Sequence, residues 1–256
     1  MGRRALRKLD PNLDLSRHLR ELSDLLGESG ESGEREASAS SAVPEEPSVE
    51  SPAETQEAHA SRLPAGEPKY LDLQTFFAQP QPLEIEMGSG KGLFLTTAAL
   101  AHPERNYLGV EVAPKYAAFC AARLKRHELT NAAMISGDGL RFFRELVHDA
   151  CAAAIHVYFP DPWWKARHRK RRVMNEAFVR DIARVLMPGG SLHFWTDVQE
   201  YFETTLPILA AEPRLSGPLP VAEQTPAHDM DYRTNFERRK RKDGLPIWRS
   251  EYRKVS

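Results

Sequence analysis

A glycine-rich turn at residues 86–92 reads Glu86-Met87-Gly88-Ser89-Gly90-Lys91-Gly92 and stands between a β-like run and a helical run. Glycine lets the backbone turn sharply and lets a ligand approach it closely above the carboxyl ends of strands. A P-loop is excluded, because Gly92 stands where Ser or Thr is required and Ile85 stands where an earlier glycine is required. The G-x-G-x-G spacing also departs from the G-x-G-x-x-G of dinucleotide sites. The carboxylate of Glu86 would repel a pyrophosphate, whereas it suits the sulfonium and ammonium groups of S-adenosylmethionine.

Acidic side chains stand at the ends of the first three predicted strands. Glu86 ends the first strand, Glu111 ends the second and Asp138 ends the third. An acid at the end of the second strand can accept both hydroxyls of a ribose, and Asp138 can accept a hydrogen bond from an adenine amine. Three acids that frame one glycine turn favour an S-adenosylmethionine site, which also includes Gly88 and Gly90.

Short β-like runs alternate with helical runs from about residue 70 onward, which is typical of βαβ units. The predicted strands cover residues 83–88, 107–112, 133–138, 153–159, 191–197 and 246–253. The predicted helices cover residues 93–100, 115–129, 140–147, 177–186 and 200–209. Between the helix at 177–186 and the strand at 191–197, Met187-Pro188-Gly189-Gly190 marks a helix stop and a turn into that strand. We therefore predict an α/β fold, with one Rossmann-like domain at 69–256 whose mostly parallel central sheet ends in an antiparallel C-terminal strand.

The N-terminal part of the chain differs in composition from the rest. Leu15, Leu19, Leu22 and Leu26 fall at helical spacing, which predicts a short amphipathic basic helix within residues 1–26. Residues 27–68 hold ten acidic and two basic side chains and almost no large apolar ones, so we predict a disordered acidic linker. Residues 69–256 carry a net charge of +5, which favours a polyanionic partner.

Composition also excludes several classes of protein. The two cysteines, Cys120 and Cys151, fit neither a disulfide framework nor a zinc spacing, so we expect a protein of the reducing cytoplasm. The start of the chain lacks the apolar core of a signal peptide, and no apolar stretch is long enough to span a bilayer. We expect no metal, no membrane association, and a monomer or a homodimer.

A second motif follows the fourth predicted strand: Tyr158-Phe159-Pro160-Asp161-Pro162-Trp163-Trp164-Lys165-Ala166-Arg167-His168-Arg169-Lys170-Arg171-Arg172. The flanking prolines restrict the backbone, so Asp161 should be held rigidly at the strand end. Six of the eight residues 165–172 are Lys or Arg, which suits contact with phosphates. Either of the two tryptophans can stack on a base or serve only for packing. His156 and His193 lie in apolar strands and are expected to be core histidines.

With these motifs the sequence resembles the bacterial tRNA (guanine-N7)-methyltransferases, which are class I, Rossmann-like methyltransferases. The resemblance runs from about residue 70 to 253. It depends on Ile85-Glu86-Met87-Gly88-Ser89-Gly90-Lys91-Gly92, on Leu108-Gly109-Val110-Glu111, and above all on residues 159–172. His193-Phe194-Trp195-Thr196-Asp197 and Thr234-Asn235-Phe236-Glu237 complete it.

The resemblance implies methyl transfer from S-adenosylmethionine to N7 of a tRNA guanine, the variable-loop guanine at position 46. It implies that Asp161 is catalytic and that it contacts the cofactor with Glu86, Glu111 and Asp138. Substrate contacts are implied for Lys165, Asp197, Thr234, Asn235, Phe236 and Glu237. RNA contacts are implied for Arg167, His168, Arg169, Lys170, Arg171 and Arg172. A second basic run, Arg238-Arg239-Lys240-Arg241-Lys242, is either a further tRNA contact or a solvated turn.

Three alternatives stay open. Amino-group methyltransferases carry an Asp/Asn-Pro-Pro-aromatic motif at the same strand end, and the absence of a second proline after Pro162 weakens that option. A non-catalytic RNA-binding protein on a Rossmann-like scaffold would bind tRNA without the cofactor. An NAD-linked oxidoreductase is disfavoured by Glu86 and by the glycine spacing.

Overall fold

The computed structural model describes residues 9–10, 12–28, 70–221 and 234–255. Over these residues the chain builds one eight-stranded sheet. Its strands are β1 (Leu19–Glu21), β2 (Leu83–Met87), β3 (Asn106–Glu111), β4 (Ala132–Ser136), β5 (Ala152–Tyr158), β6 (Leu186–Thr196), β7 (Leu215–Leu219) and β8 (Trp248–Lys254). Its helices are α1 (Leu22–Leu26), α2 (Leu93–Ala101), α3 (Pro114–Arg126), α4 (Gly139–Leu146), α5 (Glu176–Val185), α6 (Gln199–Ala210) and α7 (Asn235–Lys242). Two 3-10 helices span Leu73–Phe76 and Ala166–Arg171.

The sheet has the strand order β1-β4-β3-β2-β5-β6-β8-β7. The five pairings from β1 to β6 are parallel, and β8 pairs antiparallel with β6 and β7. The predicted α/β fold with an antiparallel C-terminal strand is confirmed. The strand order reverses between β2 and β5, and ligands of open α/β sheets bind at the carboxyl ends of strands beside such a switch point.

Two hydrophobic clusters fill the space between the sheet and its helices. Helices α2 and α3 contribute Phe94, Leu95 and Leu124 to one cluster. Helices α4, α5 and α6 contribute Phe142, Ile182 and other buried side chains to the second. The sheet is therefore covered on both faces, which is what a parallel sheet of apolar strands requires.

The N-terminal segment differs from the predicted amphipathic helix within residues 1–26. It does not form a single helix through Leu15 and Leu26, because residues 16–18 form a turn, residues 19–21 form β1 and only α1 is helical. Without β1, strand β4 would be an edge with unpaired backbone groups. Instead the Met134 N–H donates to the His18 carbonyl at 2.8 Å. The sheet thus includes residues that the sequence places outside the 69–256 domain.

Most of the predicted linker lies outside the described residues. Of residues 27–68 only Gly27 and Glu28 are described. The carboxylate of Glu28 pairs with Arg141 at the start of α4, with 2.9 Å between Nη2 and Oε1. The N-terminal segment is therefore attached on both sides of α1, through β1 to the sheet and through Glu28 to α4.

Leu22→Ala is expected to lower the free energy of unfolding by about 2 kcal/mol, because the lost methylene groups leave a cavity. Leu22 is buried, and a Cβ added at Gly137 would come within 2.4 Å of its Cβ. Urea denaturation measures the effect, and Ser23→Ala, at an exposed position of the same helix, is the control. Equal stability of the two variants would show that α1 does not stabilise the domain.

Several elements were not predicted. Helix α7 covers the second basic run, which lacks apolar periodicity. Strand β7 was also missed, and β6 begins at Leu186, five residues before the predicted start at Ser191. Over the described residues, no helix combines the length and the apolar character needed to cross a membrane.

Candidate active site

Four acidic residues lie at the carboxyl ends of four neighbouring parallel strands. Glu86 is in β2, Glu111 ends β3, and Asp138 and Asp161 follow β4 and β5. These strands are adjacent in the order β4-β3-β2-β5. The structure therefore places the predicted acidic residues along one edge of the sheet, which we call the acidic edge (Glu86, Glu111, Asp138 and Asp161).

The glycine turn is fastened to the end of β3 through its backbone. The N–H groups of Gly88 and Ser89 donate to the Val110 carbonyl at 2.8 and 3.1 Å, and the Gly90 N–H donates to Glu111 Oε2 at 2.8 Å. Gly88 and Gly90 have φ values of +81° and +53°, and a Cβ on either would meet no atom of the described structure within 4 Å. The turn thus needs glycine for its conformation and leaves its backbone open to a ligand.

Glu86 is a buried carboxyl group without a full set of partners. The residue is 3% exposed, and its Oε2 has no hydrogen-bond partner in the described part of the chain. Burial raises the pKa of Glu86, a hydrogen bond with Ser89 opposes the shift and the negative charge of Glu111 adds to it, and the pKa that results is about 8. A cationic ligand group beside Glu86 would offset both the burial and the repulsion. These residues therefore fit S-adenosylmethionine.

Glu111 and Asp138 have local structural roles in addition to their predicted ones. Glu111 is buried, and its Oε1 accepts from the Ala113 N–H at 2.9 Å. Asp138 is exposed and caps α4, since its Oδ1 accepts from the N–H groups of Leu140 and Arg141 at 2.8 and 3.4 Å. The backbone therefore orients both carboxylates, and each oxygen can accept a further hydrogen bond.

The Asp161 loop (residues 159–163) is held in an unusual backbone conformation. Phe159 and Trp163 have φ values of +51° and +46°, a region that non-glycine residues rarely adopt and that concentrates at functional sites. The Phe159 N–H donates to the Trp195 carbonyl at 2.8 Å, which fixes the start of the loop to β6. Asp161 itself is exposed. Burial raises the pKa of Tyr201 to about 12, and the negative charge of nearby Asp161 adds to the shift.

A basic ridge (Lys165 and residues 166–171) follows the Asp161 loop directly. Its 3-10 helix contains no buried residue. The Arg171 guanidinium lies 5.0 Å from the centre of the Trp163 ring. Trp163 is half-buried, whereas Trp164 is 68% exposed. Trp163 is therefore the packing residue of the pair, and Trp164 presents its ring to solvent.

Arg172 does not share the exposure of this ridge. Its side chain is 9% exposed, and its guanidinium bonds to protein groups on the Asp161 loop and on α6. The sequence placed Arg172 with the RNA-contacting residues because it ends a basic run. The tertiary structure instead turns it inward.

The predicted substrate residues other than Lys165 lie at the end of β6 and at the start of α7, and an ion pair joins these two elements. Asp197 directly follows this strand, and its Oδ2 lies 2.7 Å from Lys240 Nζ of α7. The Thr234 hydroxyl accepts from the Glu237 N–H at 3.0 Å, at the start of α7. The buried Glu237 carboxylate in turn accepts from Arg241 Nε at 2.9 Å. Asn235 and Phe236 lie in the first turn of the same helix.

The sequence analysis did not predict a buried polar cluster that lies beneath the acidic edge. Glu84 lies 2.7 Å from His156 Nε2, and His156 Nδ1 lies 2.8 Å from the Tyr158 hydroxyl. Burial raises the pKa of Glu84, but His156 and Arg105 outweigh it and lower the pKa to about 2. The expectation that His156 is a hydrogen-bonded core residue is confirmed. The alternation in β2 places Glu84 on the same side of the strand as Glu86, which was the available signal.

The strand order, the open glycine turn and the buried Glu86 define a class I, S-adenosylmethionine-dependent methyltransferase. A family model described as "Putative methyltransferase" matches residues 80–250. The chain is 48% identical over 201 residues to a tRNA (guanine-N(7)-)-methyltransferase of Rhodopirellula baltica, covering 76% of this chain and 74% of that one. It is 37% identical to the enzyme of the same name from Thiobacillus denitrificans, covering 73% and 82%. The chain belongs to the tRNA (guanine-N7)-methyltransferase family.

Proposed function

We propose that this protein transfers a methyl group from S-adenosylmethionine to N7 of a guanine in tRNA. The observation that carries the proposal is the position of Asp161. It is exposed at the end of β5, beside the switch point, with the buried carboxyl of Glu86 on the neighbouring strand and the basic ridge immediately after it. The names of the relatives supply the target atom and the tRNA.

The cofactor site is assigned to the acidic edge and the glycine turn. S-adenosylmethionine supplies an electrophilic methyl group on a sulfonium centre. Glu86 would counter the positive charge of the ligand, and the open backbone at Gly88 and Gly90 would let it approach. Glu111 would accept from ribose hydroxyls and Asp138 from the adenine amine, as the sequence predicts.

Asp161 is assigned a positioning and electrostatic role. Guanine N7 carries a lone pair and no proton, so its alkylation needs no general base. What the protein must supply is alignment of the reacting atoms. Positive charge moves onto the purine during the reaction, and a carboxylate beside it would stabilise that charge. Asp161 can also accept a hydrogen bond from the N–H edge of the guanine.

The tRNA side of the site is assigned to two elements. The Lys240–Asp197 pair joins α7 to the end of β6. We assign the contacts with the target nucleotide to Asp197 and residues 234–237 of these elements, together with Lys165. The ridge residues Arg167, His168, Arg169, Lys170 and Arg171 would contact phosphates, with Trp164 available to stack on a base. Three points stay predictions: that the target is the variable-loop guanine at position 46, that the protein is cytoplasmic, and that it is a monomer or a homodimer.

Methyl transfer is tested by incubating the protein with labelled S-adenosylmethionine and total tRNA, then analysing the nucleosides. The expected product is 7-methylguanosine. N6-methyladenosine as the product would support an amino-group methyltransferase instead. Absence of S-adenosylhomocysteine binding in calorimetry, with tRNA binding retained, would support a non-catalytic RNA-binding protein.

Lys170→Ala is expected to weaken tRNA binding and to reduce the slope of log affinity against log salt by about 1, because one phosphate contact is lost. Arg253→Ala is the control, since Arg253 is exposed and its backbone pairs with Ser191 of β6, which pairs with Ala154 near the start of β5, away from the carboxyl ends of the parallel strands. The affinity for S-adenosylhomocysteine should not change in either variant. An identical slope for Lys170→Ala and wild type would remove the ridge from the RNA interface.

A further inference from the structure

Arg172 is the buried end of an otherwise exposed basic run. Its side chain is 9% exposed, whereas that of Arg169, in the same run, is 53% exposed. A buried guanidinium must have its donors satisfied, because an unpaired buried charge is strongly destabilising. The partners of Arg172 therefore show what the structure uses it for.

Those partners connect two different parts of the site. Arg172 Nε donates to the Pro162 carbonyl at 2.8 Å, within the Asp161 loop. Its Nη2 donates to Glu200 Oε2 at 2.6 Å, and its Nη1 donates to Glu200 Oε1 and the Thr204 hydroxyl, each at 3.3 Å. The guanidinium also lies 4.6 Å from the centre of the Tyr201 ring. One planar group thus joins the loop to a face of α6.

The α6 side of this arrangement is itself well anchored. Thr204 donates its hydroxyl hydrogen to the Glu200 carbonyl at 2.8 Å, one helical turn earlier. The Tyr201 hydroxyl accepts from the Met174 N–H at 3.2 Å. The carboxylate of Glu200 stays ionised near neutral pH, because the hydrogen bond from Arg172 lowers the pKa of this carboxyl. Arg172 therefore bonds to groups whose positions a regular helix determines.

The Asp161 loop requires such support. Phe159 and Trp163 hold sparsely populated φ values on either side of Pro160, Asp161 and Pro162. Such conformations persist only where the surroundings over-determine them. The Phe159 N–H anchors the start of the loop on Trp195, but Pro160 and Pro162 have no N–H to donate, so their backbones can form hydrogen bonds only through their carbonyl groups. The Pro162 carbonyl belongs to the residue directly after Asp161.

We propose that Arg172 is a positioning residue for methyl transfer, which holds the Asp161 loop against α6 through the Pro162 carbonyl and Glu200. The proposal rests on the proposed function, because it assigns Arg172 to the orientation of Asp161. It also separates Arg172 from the RNA-contacting residues of the ridge. An RNA contact acts on the KM for tRNA, whereas a positioning residue acts on kcat with tRNA bound.

Arg172→Lys separates geometry from charge. Lysine keeps the positive charge that an RNA contact requires, but its single ammonium cannot reproduce the planar fork between Pro162 and Glu200. Glu200→Gln tests the same link from α6 and leaves Arg172 in place. Arg180→Lys is the matched control, since Arg180 is an exposed arginine of α5 outside the site.

The experiment measures kcat and KM for tRNA at saturating S-adenosylmethionine, together with S-adenosylhomocysteine affinity and thermal stability. Arg172→Lys is expected to lower kcat about 30-fold, because small misplacements of reacting groups cost up to about 100-fold. Its KM for tRNA and its S-adenosylhomocysteine affinity should stay within about 3-fold of wild type. Glu200→Gln should lower kcat in the same direction, and Arg180→Lys should match wild type.

Three results would overturn the proposal. A raised KM for tRNA with unchanged kcat would return Arg172 to the RNA interface. An unchanged kcat in both Arg172→Lys and Glu200→Gln would show that the link does not act on catalysis. A parallel loss of thermal stability and S-adenosylhomocysteine affinity in both variants would make the link a general element of the fold. Absence of 7-methylguanosine with the wild-type protein would overturn the proposed function, and this is measured before any variant is compared.

Discussion

Asp161→Asn is expected to lower kcat at saturating tRNA and S-adenosylmethionine by about 100-fold, the usual scale for loss of one electrostatic contact to a transition state. Asparagine keeps the size of the side chain and one oxygen acceptor but removes the negative charge. That charge is what stabilises the purine as it becomes cationic. Because Asp161 is exposed at the end of β5, the substitution should not disturb the core.

The comparison for this variant is Asp149→Asn. Asp149 is an exposed aspartate that pairs with Arg184 and precedes β5, at the opposite end of the strand. Steady-state rates of 7-methylguanosine formation measure both variants, and calorimetry with S-adenosylhomocysteine reports whether the cofactor site is intact. Activity of Asp161→Asn within a few fold of wild type would refute the role assigned to Asp161.

Glu86→Gln is expected to weaken S-adenosylmethionine binding about 30-fold at pH 7.5, equivalent to about 2 kcal/mol, since a buried charge partner of a cationic ligand is lost. The wild-type protein should also bind the ligand more tightly as the pH rises. Burial raises the pKa of Glu86 to about 8, so below that pH the free protein holds a proton. A cationic ligand favours the ionised carboxylate, so binding releases this proton and is progressively weaker at lower pH.

Calorimetric titrations between about pH 5.5 and 6.5 test this linkage, about one pH unit or more below the ordinary pKa of an α-amino group. Wild-type affinity should rise by up to about tenfold per pH unit, whereas Glu86→Gln should show a nearly flat profile. Glu104→Gln, at an exposed glutamate, should keep the wild-type slope. A flat wild-type profile would show that Glu86 does not meet positive charge in the complex.

Local sequence chemistry was sufficient for the strands of the mostly parallel sheet and for the acidic edge. The glycine turn, the strand-terminal acids and the Pro160–Pro162 bracket around Asp161 each act within a few residues. The carboxyl ends of parallel strands meet at one edge of a sheet, so predicting the strands also placed Glu86, Glu111, Asp138 and Asp161 together. The helices from α2 to α6 were predicted within a few residues of their observed bounds for the same reason.

Contacts between distant residues decided the rest. Leu19 has helical spacing with its neighbouring leucines, but residues 19–21 form a strand because they pair with the otherwise open edge of β4. Helix α7 has no apolar face from which the sequence could predict it. Its Lys240 pairs with Asp197, which lies 43 positions earlier in the chain. Arg169 and Arg172 are the same residue type in one basic run, and both pair with Glu200. Only Arg172 also contacts the Pro162 carbonyl and the Tyr201 ring, and only its side chain is buried. Residue type and spacing determined which groups are available for chemistry, whereas burial and the choice of partner depend on the packing of segments that are far apart in the chain.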